Sequence, residues 1–164
     1  LGEGFFYKKY SPEYMLCEVS GIPYGITGQM LEGGGDFYAG MIYGMNNRFG
    51  WGYTNAVQMY KVWDDFGIAD SRMLGYWHSE NPVKTNNQNV LATAYVKENE
   101  ALLCFYNFSN KKEKFAVELD EKLLGFIPSS AKEIRFGRSR QREIDMNKTI
   151  ALGKRKGIII KVAK

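Results

Sequence analysis

The chain has 164 residues, 45% hydrophobic and 15% aromatic, with a formal net charge of +4. That length suits one ordinary domain, or one small domain plus part of another, and the apolar content excludes a disordered polymer. No apolar run approaches the ~20 residues of a membrane-crossing helix, and the charge is uneven: residues 1–72 hold 5 Lys+Arg against 8 Asp+Glu, residues 73–164 hold 17 against 10.

The chain opens Leu1-Gly2-Glu3-Gly4-Phe5-Phe6-Tyr7, without an initiator Met or a signal-peptide pattern. This reads like the interior of a folded element, so the chain is expected to be the C-terminal part of something longer. Ser11-Pro12-Glu13 is a helix start, with Ser at the N-cap, Pro at N1 and Glu near the positive end of the dipole. The predicted helix covers about 12–20, stopped at Gly21. After Gly33-Gly34-Gly35, Asp36 is positioned to cap a second helix over about 37–47. Arg48 to Thr54 is a loop dense in glycine and aromatics. Asn55 caps a third helix through about Phe66, whose Ala56, Met59, Tyr60 and Trp63 form an apolar face; Gly67 ends it.

From Met73 the period becomes 2. Candidate strands are 74–78, 90–97, 101–108, 114–119, 131–136, 143–146 and 156–163, with a hairpin turn at Lys97–Glu100 and a helical turn at Glu121–Leu124 ended by Gly125. Seven short strands at this spacing predict an antiparallel β-sandwich. The fold class is therefore α+β: a helix- and loop-rich segment, residues 1–72, packed on a sandwich, residues 73–164. The seam is WDDFGIADSRMLGYW, residues 63–77, where Trp63 and Trp77 are expected to pack the two parts together.

Of the 24 aromatics 17 lie in residues 1–78, and so do 14 of the 18 glycines. Flat rings and closely approaching backbone are what a sugar-stacking cleft needs, and also what a tight helix–loop core shows. Cys17 and Cys104 lack metal-ligand spacing and read as buried thiols. With His78 as the single histidine, neither a zinc site nor a Ser-His-Asp triad is supported, and no metal or cofactor is expected. The glycine runs lack a nucleotide-loop context. Lys and Glu alternate along polar strand faces and only Arg135, Arg138, Arg140 and Arg142 cluster, so nucleic acid is not the expected partner.

The words GEGFFY (2–7), EVSGIPYG (18–25), GMIYGMNNRFGWG (40–52), WDDFGI (63–68) and MLGYWHSENPVKTN (73–86) occur in an order that resembles the C-terminal region of large bacterial glycoside-hydrolase-like proteins, relatives of family 123 and neighbouring domains of unknown function. The resemblance covers roughly residues 1–110. It implies the tail of a (β/α)8 barrel over residues 1–72 leading into the sandwich, a carbohydrate substrate, the remainder of a larger polypeptide as partner, and an exported bacterial location.

Glycoside hydrolysis needs two carboxyl groups flanking the scissile bond, held in barrels at the C-terminal ends of strands. Glu3, between two glycines and beside Phe5, Phe6 and Tyr7, is the first candidate, since partial desolvation there suits a general acid. An ordinary loop glutamate is the alternative. Glu18, late in its helix where a carboxylate is disfavoured, is the second; a structural ion pair with a partner such as Arg48 or Lys61 is the preferred explanation of it. Asp64 and Asp65 point apart on one helix, and one of them is expected to cap or pair with Arg72. Tyr7, Arg48, Trp51 and Tyr53 are the substrate-binding candidates, through ring stacking and hydroxyl recognition. His78 is expected to be structural. The predicted role is a C-terminal portion of a carbohydrate-active, glycoside-hydrolase-like protein, inactive alone. The alternative is a non-catalytic carbohydrate-binding or structural sandwich.

Overall fold

The computed structural model describes residues 11–14, 16, 29–30, 37–44, 46–47, 56–136 and 141–164. Among these residues three helices precede the main sheet: α1 (Pro12–Tyr14), α2 (Phe37–Tyr43) and α3 (Ala56–Phe66). Ser11 acts as the expected cap, its Oγ accepting from the Tyr14 amide at 3.2 Å; Gly21, Asp36 and Asn55 lie outside the described residues. Two short strands, β1 (Gln29–Met30) and β2 (Asn46–Asn47), pair in parallel. α2 stops at Tyr43 rather than near 47, because Gly44 takes φ 70° and leaves the helical region. α3 ends as expected at Gly67 (φ 71°), and a 3-10 turn over Ile68–Asp70 leads on.

Ten strands follow: β3 (Arg72–Leu74), β4 (Val83–Thr85), β5 (Val90–Val96), β6 (Glu100–Asn107), β7 (Glu113–Phe115), β8 (Val117–Leu119), β9 (Ser130–Ile134), β10 (Arg142–Glu143), β11 (Ile150–Leu152) and β12 (Gly157–Ala163). Six form one antiparallel sheet in the order β10-β9-β12-β6-β5-β3, and β4-β8 and β7-β11 form two ribbons. β5 and β6 make the predicted hairpin, closed by the Lys97 amide donating to the Glu100 carbonyl at 2.9 Å. The helical turn α4 (Glu121–Leu124) is capped by Asp120, whose carboxylate accepts from the Lys122 and Leu123 amides, and ends at Gly125.

Three predicted strands are corrected. The segment 74–78 is a turn beyond Leu74: the His78 amide donates to the Gly75 carbonyl at 2.8 Å, and the Trp77 ring lies over Gly75. The run 114–119 is two strands, because at Ala116 the amide turns to Asn86 Oδ1 (2.9 Å) and the chain changes partner from β11 to β4. The 143–146 strand is only Arg142–Glu143.

The six-stranded sheet is covered on both faces. Ala101, Leu103 and Phe105 of β6 face the ribbons, packing with Val83, Phe115 and Leu152. Leu102, Cys104 and Tyr106 face the other way, onto Met41, Ile42 and Tyr43 of α2 and Met59 and Phe66 of α3. Burial on both faces accounts for the nearly continuous apolar runs of β6 (EALLCFYN) and β12 (GIIIKVA).

Candidate functional site at the helix–sheet face

The helix-facing side of the sheet is where polar groups enter an apolar interface. A helix ends with carbonyls that lack intrahelical donors. At α2 two of these are met from β5: Thr93 Oγ1 donates to the Ile42 carbonyl and the Tyr95 hydroxyl to the Met41 carbonyl, each at 2.8 Å. Both side chains are buried, and burial pushes the Tyr95 phenol well above its ordinary range, so it stays a neutral donor. Trp63 Nε1 of α3 donates to Met41 Sδ at 3.0 Å, which joins the two helices. The Tyr43 hydroxyl is buried without a hydrogen-bond partner among the described residues, and burial, then Tyr76 and Glu13, raise its pKa.

α3 is fastened differently. Lys97 Nζ donates to the Phe66 carbonyl at 2.8 Å and to Glu100 Oε1 at 3.0 Å. Lys161 takes the other Glu100 oxygen. Both ammonium groups lie against the Phe66 ring, 5.1 and 5.7 Å from its centroid. Burial pushes Glu100 upward, but hydrogen bonds from Lys161 and then Lys97 outweigh it, and the carboxyl is held below its usual range.

Beside this cluster, α3 and the sheet leave a half-open groove of about 430 Å³. Val62, Leu102 and Ile134 make an apolar floor; Gln58, Lys61 and Asp65 form one wall, Arg135, Gln141 and Lys161 the other. Lys61 pairs with Asp65 at 2.9 Å. Arg135 approaches Glu133 Oε1 at 3.3 Å through Nε, and Arg142 lies 2.9 Å from Oε2 of the same residue.

The predicted candidates Glu3, Tyr7, Glu18, Arg48, Trp51 and Tyr53 all lie outside the described residues, as do Cys17, Arg138 and Arg140. Arg72 pairs with Glu80 at 3.3 Å, not with Asp64 or Asp65, because Asp65 has Lys61 one helical turn away; the same contact engages Lys61, named above as a partner for Glu18. His78 is exposed, and its Nδ1 accepts from the Glu80 amide at 3.2 Å, a turn contact as expected. Trp63 packs into the helix–sheet core as expected. Trp77 folds over Gly75 and against Tyr76 (5.1 Å), and it is Tyr76 that reaches Tyr43 of α2, at 6.4 Å. Cys104 is a buried thiol.

Among the described residues no group of three His, Cys, Asp or Glu side chains could hold a metal ion, and no helix is long and apolar enough to cross a membrane. Among the described residues the carboxylates whose titration is displaced, Glu100, Glu113 and Asp145, all move downward. Glu113 is lowered chiefly by its hydrogen bond from Asn87, Asp145 by the Asn147 amide. A general acid requires the opposite displacement. Thr93, Tyr95, Lys97, Glu100 and Lys161 were not singled out from the sequence; the signal available was a lone charged or hydroxyl side chain inside an apolar strand, as Lys161 is in GIIIKVA.

No curated protein matches the chain. Residues 1–50 match the family model described as glycoside hydrolase 123, TIM-barrel domain, and residues 55–163 match glycoside hydrolase 123, C-terminal domain. The second match spans well over half of the sequence, and the chain accordingly belongs to glycoside hydrolase family 123.

Proposed function

We propose that this chain serves a carbohydrate-active glycoside hydrolase by supplying the tail of its barrel and a non-catalytic sandwich that anchors the barrel's last helices, and that it does not hydrolyse glycosides by itself. The observation that carries this reading is the state of the carboxylates among the described residues: each displaced one is held ionised by hydrogen bonds, and none of them is raised toward the range of a general acid. A (β/α)8 barrel takes about 250 residues, whereas the barrel match here runs over residues 1–50. On this reading residues 1–72 are barrel tail and 73–164 sandwich, with α3, where the C-terminal match has already begun, shared between them. Glu3 and Glu18 remain the proposed catalytic groups, and Tyr7, Arg48, Trp51 and Tyr53 the proposed sugar contacts, with the rest of the constellation supplied by a larger polypeptide.

The test is turnover of a panel of aryl and natural glycosides by the pure 164-residue chain. Negligible hydrolysis is expected, together with neutral-glycan quenching of tryptophan fluorescence that disappears in Trp51→Ala and survives Glu3→Gln. Measurable turnover would overturn the non-catalytic assignment.

A further inference from the structure

We propose that the groove between α3 and the sheet is a binding site for an acidic saccharide, one bearing a carboxylate or sulfate, separate from the hydrolytic site. The inference rests on the carbohydrate reading above and extends it to a second site. Its basis is a charge imbalance built into the walls. Glu100 serves two ammonium groups, Lys97 and Lys161, and Glu133 serves two guanidinium groups, Arg135 and Arg142. Of these groups and the Lys61–Asp65 pair, only Lys61, Asp65, Arg135 and Lys161 line the groove, three cations against one carboxylate, an excess of two positive charges; Glu100 and Glu133, which do not line it, are each shared with a second cation. Arg135 and Lys161 are about two-thirds buried, so apolar walls concentrate their field rather than water dispersing it.

The remaining lining fits a sugar rather than a bare anion. Gln58 and Gln141 offer amide donors and acceptors for ring hydroxyls, and Val62 and Ile134 offer apolar surface for C–H faces. The volume of about 430 Å³ lies in the ~300–1,000 Å³ range of small-ligand sites. A nucleic acid would instead need a basic track along its phosphates, and here the cations converge on one concavity.

The experiment titrates the 164-residue chain with an oligogalacturonide, a sulfated oligosaccharide, a neutral oligosaccharide of equal length and a single-stranded oligonucleotide, read by calorimetry and amide NMR shifts. At least one acidic saccharide is expected to bind, with shifts at Lys61, Arg135 and Lys161; which one binds decides between carboxylate and sulfate. Affinity should fall with added NaCl and by about tenfold or more in Arg135→Gln, the loss expected for one charge-assisted contact. Should that variant not fold, Lys61→Gln on the exposed side of α3 serves the same purpose. Equal binding of the neutral saccharide, acidic binding indifferent to both substitutions, or tighter oligonucleotide binding would each overturn the assignment. If neutral glycans still quench through Trp51 while acidic ones leave the groove residues unshifted, this site alone fails. If no glycan produces either response, the carbohydrate reading falls with it.

Discussion

Thr93 on β5 donates its hydroxyl to the carbonyl of Ile42 on α2 at 2.8 Å, joining residues 51 apart in sequence at a fully buried point. With the Tyr95 hydroxyl on Met41 one position along the same strand face, it makes the sheet a C-terminal cap of that helix. Thr93→Val keeps the volume and leaves the Ile42 carbonyl unsatisfied, so a loss of about 1–3 kcal/mol is expected in urea unfolding. Tyr95→Phe should cost a similar amount. Because both bonds hold one helix end, the double variant should lose less than the sum. Strict additivity would mean that they do not act on a common element.

Gly157 begins β12 at the point where α2 crosses the sheet. A Cβ there would run into Tyr38 Cβ and sit 2.8 Å from the Phe105 carbonyl oxygen. Backbone and a helix-borne Cβ cannot swing aside, so Gly157→Ala must push α2 off the sheet. The expected cost is about 1–3 kcal/mol or more, with loss of amide protection in α2 before the ribbons. Gly125→Ala is the comparison: its surroundings are open, and only its φ of 88° opposes the change. Wild-type stability in Gly157→Ala would contradict the close approach.

The Glu100 cluster should make the α3 junction sensitive to acid. The folded carboxyl titrates below its ordinary value of 4.5 because Lys161 and Lys97 hold it ionised against the opposing effect of burial. A depressed carboxyl stabilises the fold above its unfolded pKa, and that contribution disappears as pH falls through the folded value. Stability should therefore be flat with respect to this group above about pH 5 and decline below the ordinary value. Glu100→Gln should weaken the fold at neutral pH and flatten the acid limb. Denaturation midpoints collected between pH 3 and 7 for both proteins check this; parallel curves would rule Glu100 out as a source of the acid response.

Much of this architecture was legible because it follows from local chemistry. Ser11, Gly67 and Gly125 mark helix ends through capping and left-handed backbone, and they do so in the structure. The hairpin at Lys97–Glu100 was legible for the same reason. What failed was partner choice. Nothing within 114–119 says that its first half joins β11 and its second half β4, since that switch depends on Asn86, thirty residues away from Ala116. Val83–Thr85 and Ile150–Leu152 are three residues each, too short for a period to register. The groove was invisible for a related reason: Lys61, Arg135 and Lys161 come from three elements whose adjacency only the fold creates. The arginine cluster was noticed, but not that Glu133 is divided between two of its members.

Cys104 offers a readout of how firmly α2 and α3 are seated. It lies on the helix-facing side of β6, fully buried, and burial alone pushes its thiol far above the ordinary cysteine range. A thiol that is neither ionised nor reachable does not alkylate, so modification must wait for the helices to lift or for the whole domain to open. At neutral pH, mass spectrometry of the Cys104 peptide should show labelling by iodoacetamide far slower than that of a free thiol. If Thr93→Val loosens α2 locally, that variant should label Cys104 faster by more than its loss of global stability accounts for. Equal acceleration of Cys104 labelling and of global unfolding would mean instead that helices and sheet open as one cooperative unit. Rapid labelling of the native wild-type chain would show that the helix layer does not cover β6 at all.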